Sequence, residues 1–237
     1  MAVRPEDEVL EIGSGPGALT VRLAPRCRRV VAVEIEPRLG HVLQDLTAQH
    51  PNLEVLAADI LRLDPGALFS GGPYLAAGNI PYYLTGALMR RLLEAQPAPE
   101  RVAVVVQREV ARRWTEPGQA SLGSVAISVF GEARMLFSLP AEAFWPAPRV
   151  DSALVVIEVF PEPMVPRAAT PAFFDLVEAL FQGRRKQLGG SVARHLGLSG
   201  VEAGIRLSAL GIDPTRRPQT LSMEEWLRLF SLVSASG

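Results

Sequence analysis

Val9-Leu10-Glu11-Ile12-Gly13-Ser14-Gly15-Pro16-Gly17 constrains the fold of this chain more than any other stretch. An apolar strand runs into a glycine-rich turn, and a helix is expected from Ala18 to Leu23. Gly13, Gly15 and Gly17 permit a tight turn and a close approach of backbone to a ligand. The spacing is G-x-G-x-G, whereas a dinucleotide fingerprint requires G-x-G-x-x-G. No Gly-Lys-Ser/Thr follows, which excludes a P-loop.

Further strand-like runs alternate with helical patterns up to about Glu116. Arg29 to Glu34, Leu53 to Asp59, Leu75 to Gly78 and Arg101 to Gln107 read as buried strands. Pro37 to Gln49 and Leu84 to Glu94 carry apolar residues at helical spacing. This alternation predicts a parallel, doubly wound α/β sheet covered on both faces. Met135 to Leu139 and Ala153 to Phe160 read as two last strands, joined by a proline-rich loop containing Phe144. Acids recur near strand ends: Glu11 before the glycines, Glu34 after the second strand, Asp59 after the third. In a doubly wound sheet those ends line the ligand crevice. Glu11 disfavours a phosphate and suits a cation, such as the methionine end of S-adenosylmethionine. Glu34 could accept both hydroxyls of a ribose, and Asp59 an adenine amine.

Asn79-Ile80-Pro81-Tyr82 follows the fourth strand. The Asn79 side-chain oxygen and the Ile80 carbonyl could each accept one N–H of an exocyclic amine. Tyr82 offers a ring face to a flat base, and Pro81 stiffens the turn. Taken alone, the same tetrapeptide also reads as an ordinary strand-exit turn with a buried tyrosine.

Glu11 to Gly17, Val33-Glu34-Ile35-Glu36, Ala58-Asp59-Ile60 and Gly78-Asn79-Ile80-Pro81-Tyr82-Tyr83 together resemble motifs I to IV of the ribosomal RNA adenine dimethyltransferases, the KsgA and Erm group. Phe144-Trp145-Pro146-Ala147-Pro148-Arg149-Val150-Asp151-Ser152 resembles that family's F-x-P-x-P-x-V-D-S loop. Phe181 to Leu188 resembles the F-x-x-R-R-K-x-L segment of the KsgA side, and Asp213 to Ser222 its C-terminal region. The resemblance covers nearly all of the chain.

It implies a Rossmann-like class I methyltransferase sheet followed by a small helical domain. The implied reaction is S-adenosylmethionine-dependent dimethylation of adenosine N6 in small-subunit ribosomal RNA during ribosome biogenesis, with S-adenosylhomocysteine as by-product and no metal. Two alternatives stand beside it: a non-catalytic RNA-binding assembly factor, and Erm-like methylation of large-subunit RNA. Glu11, Gly13, Gly15, Glu34, Ile35, Asp59, Ile60 and Asn79 are the implied cofactor residues. Asn79, Ile80, Pro81, Tyr82 and Phe144 are the implied catalytic set, with Tyr82 and Phe144 facing the extruded adenine. Tyr83 and Trp145 read as packing residues, and Asp151 as a cap for the loop before the last strand. Family members also carry a basic segment before motif I that covers the cofactor. Here Met1 lies directly before the first strand, so cofactor binding with low methyl transfer is the expectation.

Pro161, Pro163 and Pro166 mark a linker, giving expected domains at 1–163 and 164–237. Beyond it Phe173 to Gln182, Gln187 to Leu196, Val201 to Leu210 and Ser222 to Val233 are helical patterns. Ser222 and Glu225 form the signature of a capping box. A net charge of −1 is not the footprint of a strongly basic nucleic-acid binder. The C-terminal part is nevertheless net basic, and Arg184, Arg185, Lys186, Arg216 and Arg217 are the candidate RNA contacts. The single cysteine, Cys27, excludes an internal disulfide, and His41, His50 and His195 lack ligand spacing. The expected setting is a cytoplasmic monomer acting on small-subunit RNA or a pre-30S particle, away from membranes.

Overall fold

The computed structural model describes residues 2–116, 118, 120–183 and 186–234. The chain divides into two compact units, residues 1–112 with 130–161 and residues 113–129 with 162–237.

The first unit is built on a seven-stranded sheet. Its strands are β1 (Glu8–Ile12), β2 (Arg29–Glu34), β3 (Leu53–Ala57), β4 (Leu75–Asn79), β5 (Arg101–Gln107), β6 (Gly131–Leu139) and β7 (Ser152–Val159). The order is β3-β2-β1-β4-β5-β7-β6. Strands β1 to β5 are parallel, and β7 runs antiparallel between β5 and β6. This is the class I methyltransferase arrangement that the resemblance implied. The chain reverses direction across the sheet between β1 and β4, which opens a crevice at the carboxyl ends of those strands.

Helices α1 (Thr20–Leu23), α2 (Pro37–Thr47) and α3 (Thr85–Leu93) connect the parallel strands. Pro37 occupies the first turn of α2, where its missing N–H is harmless. On α3 Thr85, Leu88, Met89, Leu92 and Leu93 are buried, an i, i+3, i+4, i+7, i+8 stripe. Val9, Leu23, Ala24, Val30, Ala32, Leu53, Leu75 and Ala77 form one continuous core cluster. Gly78 is required where β4 meets β1, because a Cβ there would stand 2.5 Å from the Ile12 carbonyl oxygen. The first helix is shorter than expected and begins at Thr20.

Two helices lie between β5 and β6: α4 (Arg108–Thr115) and α5 (Leu122–Phe130). The start of α5 is fixed by reciprocal bonds, Ser121 N–H to Ser124 Oγ at 2.7 Å and Ser124 N–H to Ser121 Oγ at 3.2 Å.

The second unit contains α6 (Thr170–Phe181), α7 (Leu188–Leu196), α8 (Gly200–Ala209) and α9 (Met223–Ser234). Phe173, Leu180, Val192, Ala203, Leu207 and Leu229 are fully buried in its core. Trp226 stacks on Phe181 with ring centres 5.8 Å apart, and Phe230 meets Phe173 edge-on at 5.3 Å. The capping box at Ser222 is present: Ser222 N–H donates to Glu225 at 2.8 Å, and Glu225 N–H to Ser222 Oγ at 3.2 Å. Among the described residues, no helix is long and apolar enough to cross a membrane.

Candidate active site

The ends of β1, β2 and β3 are tied together by backbone bonds. Gly13 N–H donates to the Val33 carbonyl at 2.9 Å, and Ala58 N–H to the Glu34 carbonyl at 3.0 Å. Glu34 is buried, and its carboxylate accepts from Gly15 N–H at 2.8 Å and Glu36 N–H at 2.9 Å. Gly15 reaches it with φ of +56°, a conformation glycine adopts without a steric penalty. Each Glu34 oxygen therefore has one donor and keeps a second lone pair available. Asp59 accepts from Leu61 N–H at 3.0 Å and so caps a 3-10 turn, Ile60–Arg62; its other oxygen lies 3.6 Å from Arg62 Nε.

Above these ends lies a cavity of about 330 Å³. That size falls within the range of about 300–1,000 Å³ common for small-molecule sites. Gly13, Glu34, Ile35, Asp59, Ile60, Asn79, Ile80 and Pro81 all line it. Five residues, Ile80 to Leu84, separate Asn79 from α3; Tyr83 and Leu84 of that stretch complete the wall with Leu88 of α3. Its lining is largely apolar with a few convergent acids and amides, which suits a nucleoside with one flat face. Ile35 is 64% exposed on this wall, so an apolar group lies open where a flat ring could cover it.

Glu11 and Gly15 are not on this wall. Glu11 is 1% exposed, and Thr20 Oγ1 donates to it at 2.6 Å. Burial pushes the Glu11 carboxyl up to about 7, with the bonds from Thr20 opposing and the neighbouring Glu34 charge adding. Glu11 thus braces the start of α1 against the glycine turn.

Tyr82 is half-buried beside the cavity, and its hydroxyl lies 2.7 Å from Ser152 Oγ. Phe144 is half-buried in the loop that joins β6 to β7. Asp151 closes this loop: its carboxylate accepts from Ala141 N–H at 3.3 Å and pairs with Arg108 at 2.7 Å. The cap expected at Asp151 is therefore present. Tyr83 and Trp145 correct the reading as packing residues, being 85% and 97% exposed. The reason is local. Tyr83 opens onto the cavity mouth, and Trp145 sits mid-loop between Phe144 and Pro146, away from the tied ends. Ser152, Arg108 and Thr20 are partners that sequence inspection missed. For Ser152 a signal existed, since it closes the F-x-P-x-P-x-V-D-S stretch.

In the second unit, Leu188 N–H donates to the Arg216 carbonyl at 2.8 Å and Gly189 N–H to the Pro214 carbonyl at 2.9 Å. Those bonds bring the segments holding Lys186 and Arg217 together, and both side chains are exposed. Arg184 and Arg185 lie outside the described residues. Arg216 takes a different part from the one expected. Its guanidinium forks onto Glu225 at 2.6 and 3.0 Å and bonds Thr220, and it holds the Glu225 carboxyl below the ordinary range. Arg216 secures the start of α9.

The family model for ribosomal RNA adenine dimethylase matches residues 1–235. The chain belongs to that family. The small-subunit ribosomal RNA methyltransferase A of Dehalococcoides mccartyi is 37% identical over 230 residues, 96% of this chain and 79% of the relative. The protein of the same name from Desulfitobacterium hafniense is 40% identical over 225 residues, 94% and 80% of the two chains. Among solved structures, the 23S rRNA methyltransferase ErmE superposes with a TM-score of 0.75 at 34% identity, covering 98% of this chain and 93% of that one. Family membership thus rests on nearly the whole chain as well as on the short motifs.

Proposed function

We propose that this protein is an S-adenosylmethionine-dependent dimethyltransferase acting on adenosine N6 of small-subunit ribosomal RNA, as a monomer in the cytoplasm on RNA or a pre-30S particle. The observation that carries this reading is the cavity at the strand ends. It gathers Glu34 and Asp59 with Asn79-Ile80-Pro81 in one lining, in a chain whose curated relatives bear the small-subunit name.

The donor set fits the cofactor. Glu34 has acceptor capacity left for ribose hydroxyls, Asp59 and the Ile60 backbone take the adenine, and Ile35 supplies an apolar face. Gly13 leaves room at the methionine end. Bound there, S-adenosylmethionine supplies a methyl group already activated on a sulfonium, so the protein need provide no strong base. The chain's task is to present the amine. Asn79 Oδ1 and the Ile80 carbonyl accept its two N–H bonds and draw the amine toward tetrahedral geometry, which lessens delocalisation of its lone pair into the ring. Most of the remaining gain comes from in-line positioning. The extra proton leaves the nitrogen after transfer, when it is acidic. Tyr82 stacks on one face of the base and Phe144 on the other. Lys186 and Arg217, with Arg184 and Arg185, contact phosphates, while Arg216 supports their scaffold.

A methyl-transfer assay with radiolabelled cofactor on unmethylated small subunits tests this reading, with mass spectrometry of the recovered nucleosides. N6,N6-dimethyladenosine is the expected product. Labelling of large-subunit RNA alone would favour the Erm-like alternative, and no labelling of either would favour an assembly factor.

A further inference from the structure

Trp145 is 97% exposed, the most exposed of the large hydrophobic side chains among the described residues. The other tryptophans are shielded, Trp114 at 8% and Trp226 at 1%. An indole held wholly in water forgoes the burial that makes so large an apolar side chain stabilising. Its mount is well braced. Leu139 pairs with Ser152 at the neck of the loop, and Asp151 bonds Ala141 and Arg108 there. Ser152 also bonds Tyr82. Pro140, Pro146 and Pro148 restrict the backbone between. Ser152 is paired with Gln107, the last residue of β5, so the loop stands at the same end of the sheet as the cavity, the carboxyl end of the parallel strands. Phe144, the proposed stacking partner of the target base, directly precedes Trp145. Arg149 of the same loop is exposed and brings a positive charge.

We propose that Trp145 stacks on an unpaired nucleobase adjacent in the RNA to the adenine that enters the site. The inference rests on the proposed function, because it takes the occupant from that reading. Every nucleobase has a π face, and unpaired bases are held by stacking on exposed aromatic side chains backed by basic residues. A two-aromatic arrangement follows: Phe144 serves the target base and Trp145 its neighbour. Trp145 is a binding residue and takes no part in the chemistry.

Because Trp114 and Trp226 are shielded, acrylamide quenching of the protein's emission reports chiefly on Trp145. The probe is protein-free small-subunit ribosomal RNA from unmethylated subunits, which has no tryptophan of its own. RNA should protect the emission from acrylamide in the wild type, and Trp145→Phe should lose that signal. In methyl transfer to unmethylated subunits, Trp145→Ala should raise the KM for subunits about tenfold and leave the KM for the cofactor unchanged, and Trp145→Phe should recover most of the loss. Protection by RNA in a chain that transfers no methyl would support the stacking and sink the proposed function. Methyl transfer by a chain whose Trp145 remains unprotected, with an unchanged subunit KM in Trp145→Ala, would overturn the stacking and leave the function standing.

Discussion

The Tyr82 hydroxyl lies 2.7 Å from the hydroxyl of Ser152, which is fully buried at the start of β7. Sixty-nine residues of intervening sequence hide this pairing, yet it links the Asn-x-Pro-Tyr turn to the loop carrying Phe144. The ring of Tyr82 is thereby held from its far end, leaving a face for a base. Tyr82→Phe would keep that face but strand a buried serine hydroxyl, a loss of about 1–3 kcal/mol. Ser152→Ala alone should cost less, since Tyr82 is only half-buried whereas Ser152 is fully buried. The two changes together should cost less than their sum, as a direct contact requires. Urea unfolding of the four proteins in this cycle measures the coupling, and strict additivity would mean that the bond is not formed in solution.

Glu34 is the second test. Its carboxylate already accepts two backbone N–H groups, so it shapes the glycine turn as well as facing the cavity. Glu34→Ala should weaken S-adenosylmethionine binding by about 1.5–3 kcal/mol and also lower stability, because Gly15 and Glu36 lose their acceptor. Glu34→Gln keeps one acceptor oxygen and should fall between. Calorimetric titration with thermal unfolding separates the two effects. Wild-type affinity in Glu34→Ala would remove this residue from the cofactor site.

Asn79 ends β4 with its side chain exposed on the cavity wall. Its proposed partner is the amine of the base. Asn79→Ala should therefore change cofactor affinity far less than turnover, losing methyl transfer by about 10²–10³-fold, the scale seen when a preorganised group acting on the reacting centre is removed. Turnover within a few-fold of wild type would refute the amine-holding role.

Much of this was legible in the chain. The strands Arg29–Glu34 and Arg101–Gln107 coincide with their apolar runs, because buried parallel strands are continuous in hydrophobicity. Helix α5 was not legible. Leu122 to Phe130 is apolar on nearly every side, so it carries no stripe from which a helical period could be read. Its Ser121–Ser124 start also lacks the Glu or Gln that marks a capping box. The grouping of residues 113–129 with the C-terminal helices could not be read from linker prolines, since it depends on contacts distant in sequence. In the site, the acids and the Asn-x-Pro-Tyr turn stood out because residue type and strand-end position coincide. The division of labour did not, because whether Glu11 faces a ligand or Thr20, and Arg216 a phosphate or Glu225, is decided by side-chain partners.

Glu11 gives the final prediction, a dependence of stability on pH. Its carboxyl titrates near pH 7 in the folded protein, against an ordinary value of 4.5, because burial disfavours the charged form. The raised value means that folding favours the protonated acid. The contribution of Glu11 to stability is therefore fully present below about pH 4.5, and is lost as the pH rises through about 7. The shift corresponds to about 3 kcal/mol over that window. Glu11→Gln leaves a neutral group that still accepts from Thr20 Oγ1, so it should flatten this part of the profile and be more stable than wild type at pH 8. Urea unfolding of both proteins between pH 5 and 8 measures the difference between the two curves. That difference should grow with pH. A constant offset would show that Glu11 stays ionised across the range and that Thr20 with the glycine turn solvates its charge.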